Sequence, residues 1–251
     1  MTQRPPALVA VSHGTSSPEG RLAVRGLFDA VAAAVAERYP DATPSTRLGH
    51  VDVEQPDVPA TLATLEPGEP AVIVPLLLSA GYHVHVDLAE AATEAADAGR
   101  AVVIAGALGP DDRLVTVLRR RLVEAGAGDA DPVVLAVAGS SDARAVVDCR
   151  DMAARLAAAS AGPVSLGFLS AAEPRLPDAV AAARAEHPAS RLAVASYLLA
   201  PGYFQDLAAA TAPDVLAEPV LRHDDAAPAE LVAIVLDRYE AARAAASDRL
   251  A

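Results

Sequence analysis

Short, nearly continuous apolar runs alternate with longer amphipathic stretches along the whole chain. The runs at 7–12, 46–53, 71–77, 101–105, 133–137, 164–169, 191–198 and 215–217 predict strands. Between them, stretches at 19–38, 58–65, 88–98, 111–124, 143–159, 175–186, 205–210 and 228–246 carry helical patterning. Apolar strands separated by helices of this length predict βα units around mainly parallel sheets covered on both faces.

The order also repeats. "GHVDVEQP" (49–56) lines up with "GFLSAAEP" (167–174), and "PLLLSAGYHVHVDLA" (75–89) with "SYLLAPGYFQDLA" (196–208) if two residues are missing from the second copy. "LGPDD" (108–112) resembles "LRHDD" (221–225), and "LVAVSHGTSS" (8–17) resembles "VLAVAGSSD" (134–142). Matches in one order with similar spacing predict two homologous α/β lobes with Rossmann-like layers. The linker composition of "AGAGDAD" (125–131) places the junction, giving lobes over 1–127 and 128–251.

In open α/β sheets, ligands lie beyond the carboxyl ends of the strands. His13 follows the first predicted strand, Asp52 and Glu54 end the second, and His83 follows the third. Three strands therefore bring candidate groups to one rim. The second copy carries Ala138, Ser170 and Phe204 at the places of His13, Asp52 and His83, whereas Gly81–Tyr82 and Gly202–Tyr203 occur in both. Residues needed only by the scaffold should recur, so the groups unique to the N-terminal lobe are the candidates for chemistry.

Composition narrows the choice. The 251 residues are 53% hydrophobic but only 3% aromatic, so Ala, Val and Leu must fill the core. The net charge of −13, with no lysine, argues against sequence-independent nucleic-acid binding and against docking on anionic lipid. A single cysteine, Cys149, excludes an intrachain disulfide and a thiolate cage. No apolar run approaches the ~20 residues of a membrane span, and the start lacks a signal-type segment. A soluble cytoplasmic protein is expected.

His83, His85 and Asp87 invite comparison with the HxHxDH signature of metallo-β-lactamase-like hydrolases, but Leu88 stands where the final histidine belongs. "VSHGTSS" could be a phosphate-cradling loop, yet it lacks the Walker lysine; Ser12 stands where a histidine phosphatase would carry arginine. His50, two residues before Asp52, reads as packing or as support for the site. His187 in "EHP" reads as a helix cap, where a cation complements the dipole.

Together, "AVSHGTSSPEG" (10–20), "HVDVEQP" (50–56) and "VPLLLSAGYHVHVDL" (74–88) resemble the class II tetrapyrrole chelatases, the sirohydrochlorin ferrochelatase and cobaltochelatase family of CbiX/SirB type. Long members of that family carry two similar lobes with the active groups in one. The resemblance implies a lyase-type enzyme that inserts a divalent metal into sirohydrochlorin between the lobes, in sirohaem or cobalamin biosynthesis. It places the family's histidines on His13 and His83 and its carboxylate on Asp52, with Glu54 in reserve and His85 less securely matched. Aspartate replaces the family's longer glutamate.

Imidazole suits the implied chemistry. Its reference pKa of about 6.5 leaves it mostly neutral near pH 7, able to accept a pyrrole proton or bind Fe²⁺, Co²⁺ or Ni²⁺. The metal is then a substrate, and no organic cofactor is expected. Gly14, Ser79, Ala80 and Gly81 would let backbone approach a flat macrocycle, although turn geometry alone also explains them. Because sirohydrochlorin carries eight carboxylates, a locally neutral or basic cleft is expected, lined by arginines and backbone N–H groups. Two lobes in one chain could reproduce what single-lobe relatives make by dimerising, so a monomer is expected. The competing functions are a non-catalytic tetrapyrrole or metal carrier and a metal-dependent hydrolase.

Overall fold

The computed structural model describes residues 5–79 and 81–246, with the side chains of residues 82–85 outside the description. Among the described residues, eight strands alternate with eight helices. The first half runs β1 (Ala7–Ser12), α1 (Pro18–Arg38), β2 (Thr46–His50), α2 (Val58–Ala63), β3 (Ala71–Pro75), α3 (Tyr82–Asp97), β4 (Val102–Ile104) and α4 (Asp112–Glu124). The second runs β5 (Val133–Val137), α5 (Ala143–Ala159), β6 (Val164–Phe168), α6 (Leu176–Glu186), β7 (Ala193–Tyr197), α7 (Tyr203–Ala209), β8 (Val215–Leu216) and α8 (Ala229–Ala245). The sheets have the orders β2-β1-β3-β4 and β6-β5-β7-β8, and every pairing is parallel.

The apolar runs are explained by burial on both sheet faces. Along β1, Ala7, Val9 and Val11 pack with Leu62 of α2 and Leu88 of α3, while Leu8 and Ala10 face Leu27 of α1. In the second sheet, Val134 and Ala136 pack with α6, and Leu135 and Val137 face inward. The inward faces share one core with α1, α4, α5 and α8, which form a helical layer between the two sheets. Two of these helices cross over: α4 packs on β7 and α5, and α8 packs on α1, β3 and β4. Each half therefore lends its last helix to the other sheet.

Polar bonds fasten this exchange. Tyr239 Oη on α8 donates to Pro6 O at 2.6 Å, and Arg238 donates to Ala107 O at 2.7 Å and Leu108 O at 3.0 Å. Arg121 on α4, 2% exposed, pairs with Glu124 at 2.7 Å and donates to Val220 O at 3.2 Å. Asp111 caps α4 by accepting the Arg113 N–H at 3.0 Å, and the Arg113 guanidinium holds the same carboxylate at 2.8 Å. That guanidinium lowers the Asp111 pKa from its ordinary 3.8, against the opposing effect of burial. A depressed carboxylate adds stability that is present above the unfolded pKa and lost as pH falls through the folded one. Asp111→Ala should therefore destabilise the protein by about 1–2 kcal/mol at pH 7. Chemical denaturation at several pH values should show the gap from wild type closing as pH drops below 3.8.

Two element boundaries differ from the sequence expectation. β2 stops at His50 instead of running to residue 53, because Asp52 and Val53 turn back against the loop after β1. α3 starts at Tyr82, not at residue 88, so the segment carrying His83 and His85 is the first turn of a helix and not a loop. The alternation of His and Val there imitates an extended chain.

Candidate functional site

The sheet order sets β2, β1 and β3 side by side, so their carboxyl ends form one rim. The loops after β1 and β2 are stitched through the backbone. Val51 N–H donates to Ser12 O and Asp52 N–H to His13 O, both at 2.9 Å, and Glu54 N–H donates to Asp52 O at 2.7 Å. The approach is close enough to require glycine at position 14. Its φ is +93°, and a Cβ there would lie 1.9 Å from Asp52 O. Val53, at φ +66°, holds a left-handed conformation that is uncommon for a β-branched residue.

The second lobe repeats this stitching with different side chains. Leu169 N–H donates to Val137 O and Ser170 N–H to Ala138 O, both at 2.9 Å, and Ala172 N–H donates to Ser170 O at 2.7 Å. Gly139 has φ +89°, with its would-be Cβ 2.0 Å from Ser170 O, and Ala171 has φ +55°. The correspondence sets Ala138 at the place of His13, Ser170 at that of Asp52, Phe168 at that of His50 and Ala172 at that of Glu54. Gly202 precedes α7 as Gly81 precedes α3, so Phe204 takes the place of His83.

A cleft of about 480 Å³ opens between the lobes. It is walled by residues 12–16 from the end of β1, Val53 after β2, 76–79 after β3, 137–138 at the end of β5 and 197–204 from the end of β7, with Val24 and Cys149 behind. His13 is exposed at this wall, and Gly14 and Ser79 share it. Tyr197 Oη donates to Leu78 O at 2.8 Å, fixing the two lobes to each other beside the opening. The chain lining the cleft at Ser79 continues through Gly81 into the turn of α3 that bears His83 and His85. The side chains of both histidines, and Ala80, lie outside the described residues. Among the described residues, no group of three or more His, Cys, Asp or Glu is poised to hold a metal.

Asp52 and Glu54 sit beside the His13 loop but not in the cleft wall. The Asp52 carboxylate is exposed and accepts the Val53 N–H at 2.7 Å. Glu54 acts as a clamp: Oε1 accepts the Thr15 N–H at 2.8 Å, and Oε2 lies 3.4 Å from Arg21 Nε, which also donates to Thr15 O at 2.9 Å. Behind them His50 is 5% exposed, with Nδ1 2.8 Å from Ser12 Oγ and 3.8 Å from Glu54 Oε1. Burial lowers its pKa against the opposing pull of Glu54, favouring a neutral imidazole. His50 thus supports the loop from beneath, as its position before Asp52 suggests. Glu54's clamping of Thr15 had no sequence signal beyond its absence from the second copy.

The expected arginine lining is not found. No Arg, Asp or Glu occurs among the described residues of the cleft wall, which is neutral and mostly apolar. Arg113 is committed to Asp111 and Asp237, Arg21 to the Glu54 clamp, and Arg25 lies 5.5 Å from the Phe28 ring centroid. These arginines were consumed by local carboxylates and an aromatic face. His187, as expected, forms the C-cap of α6.

Among solved structures, the chain is similar to SirB from Bacillus subtilis with Fe³⁺, at 19% identity and a TM-score of 0.78, covering 96% of each chain. It is also similar to the sirohydrochlorin chelatase SirB from Bacillus subtilis subspecies spizizenii in complex with cobalt, at 17% identity and a TM-score of 0.74, covering 97% of each. DR2241 from Deinococcus radiodurans, a multi-domain protein with structural similarity to chelatases, matches at 17% identity and a TM-score of 0.61 over 94% of this chain and 55% of that one. No curated protein sequence matches this one. No helix among the described residues is long and apolar enough to cross a membrane. The CbiX family profile fits the sequence twice, over residues 7–125 and 132–238, one copy in each half of the fold. With both halves matched and the two-lobe architecture shared, the chain belongs to the CbiX family of chelatases.

Proposed function

We propose that this protein inserts a divalent metal, Fe²⁺ or Co²⁺, into sirohydrochlorin held in the cleft between its lobes. The observation that carries the reading is His13, presented at a neutral, mostly apolar inter-lobe cleft while the homologous position across it is Ala138. Family membership and the likeness to SirB support it; the two SirB structures contain Fe³⁺ and cobalt.

Insertion replaces two pyrrolic N–H bonds with metal–nitrogen bonds and releases two protons. In this reading His13, together with His83 from the first turn of α3, takes up the metal and accepts those protons. Asp52, whose carboxylate is exposed on the same rim, ligates the ion or orients a histidine. Glu54 holds the His13 loop through Thr15 instead of serving as the reserve ligand. His85, two residues after His83, is a secondary candidate. Two or three N/O donors bind the ion loosely enough to surrender it, as a transfer site requires. Gly14 and Gly81 carry no side chain, and Ser79 only a small one, at the points where the macrocycle would approach. The N-terminal lobe, 1–127, is the working one, and 128–251 completes the cleft.

The test is a spectrophotometric insertion assay with sirohydrochlorin and Fe²⁺ or Co²⁺. The protein should accelerate insertion well above the spontaneous rate. Ligand binding without acceleration would instead identify a carrier, and stoichiometric, tightly held zinc would identify a hydrolase.

A further inference from the structure

We infer that the two lobes divide the work on the two substrates: the first handles the metal, and Tyr203 of the second lobe, with Val53 at the opposite lobe's edge, grips the flat macrocycle. This rests on the chelatase reading and adds residues that would bind the ring.

Three observations lead to it. First, large apolar side chains are exposed in the described residues only at Leu22, Val53, Val123, Val147 and Tyr203. Two of these, Val53 at 53% and Tyr203 at 70% exposure, border the same cleft from different lobes. Single exposed apolar side chains are ordinary, but two that line one cleft from opposite lobes form a surface a ligand can cover. Second, Val53 stands in a left-handed conformation that its homologue fills with the small Ala171. The first lobe thus keeps a bulky β-branched residue where the fold accepts alanine. Third, Tyr203 is paired with Phe204, their ring centroids 5.9 Å apart at 45°. Tyr203 recurs as Tyr82, but Phe204 replaces His83, so the second lobe alone carries two adjacent aromatic residues at this place.

The chemistry fits a conjugated ring better than its rim. Aromatic and aliphatic side chains gain by covering a flat π face. A carboxylate buried in a wall without cations would pay a large desolvation cost. The macrocycle core therefore enters the cleft between Val53 and Tyr203, and its carboxylates stay towards the open, solvated side.

Val53→Ala and Tyr203→Ala test this without endangering the fold, since Ala171 shows that alanine fits the first conformation and Tyr203 is exposed. Binding of metal-free sirohydrochlorin, followed by its absorbance change, should weaken about tenfold in Tyr203→Ala. Val53→Ala should weaken it about threefold while unfolding at an equal or higher temperature, since relief of the strained conformation opposes any loss of contact. In turnover the loss should appear in KM for the tetrapyrrole, and Co²⁺ affinity of the protein alone should stay at the wild-type value. Wild-type sirohydrochlorin affinity in Tyr203→Ala, or a Co²⁺ affinity that falls in parallel, overturns the inference. If the variants bind normally while the wild type inserts metal, the chelatase reading survives without it. If the wild type binds the ring through these residues and inserts nothing, the ring face stands and the chelatase reading fails.

Discussion

His13→Ala is expected to lower kcat/KM for metal insertion by about 10²–10⁴-fold, the range for losing a positioned proton acceptor. The substitution should not disturb the fold. His13 is exposed, and Ala138 occupies the same backbone position in the second lobe with the same hydrogen bond to its carbonyl. Surface replacements of this kind usually change stability by less than about 0.5 kcal/mol. Unfolding temperature and insertion rate, measured on one preparation, separate the two effects. An unchanged insertion rate would remove His13 from the chemistry.

The second large effect concerns the glycine that lets the His13 loop meet the loop after β2. Gly14→Ala places a Cβ 1.9 Å from Asp52 O at φ +93°, so the two loops must part. The loss of stability should be at least about 2 kcal/mol, since steric conflict adds to an unfavourable backbone conformation. Activity per folded molecule should fall as well, by about 10²-fold, because displacing a reacting group by roughly an ångström has that cost. Gly139→Ala is the matched control: its Cβ would lie 2.0 Å from Ser170 O at φ +89°. It should destabilise to a similar degree and reduce activity per folded molecule far less. Denaturant unfolding paired with active-fraction-corrected kinetics would show the difference. Equal losses of activity in both variants would mean that the lobes do not differ in function.

Much of this architecture is legible in the chain because two-sided burial writes itself as unbroken apolar runs. β1 and β5 coincide with their predicted runs, and α5 with its predicted span. The internal repeat was equally readable, and its backbone basis is now visible in the paired bonds of His13 and Ala138 to the residues after β2 and β6. Features made by distant contacts were hidden. Nothing local in α4 or α8 announces that each packs on the other half's sheet, since an amphipathic helix does not encode which sheet it covers. The early start of α3 was masked by β-branched residues alternating with histidines. The arginines expected around an anionic substrate are bound instead by neighbouring carboxylates, as with Arg113 and Asp111, which composition cannot reveal.

The proposed chemistry turns on whether His13, in the loop after β1, and His83, in the first turn of α3, share one ion. Co²⁺ affinity should be measured for the wild type, His13→Ala, His83→Ala and the double variant, by titration of the protein without tetrapyrrole. Groups that share an ion are coupled, so the double variant should lose at least about 1 kcal/mol less than the sum of the single losses. Losses that add to within about 0.5 kcal/mol, or single variants that bind Co²⁺ as the wild type does, would contradict a shared site.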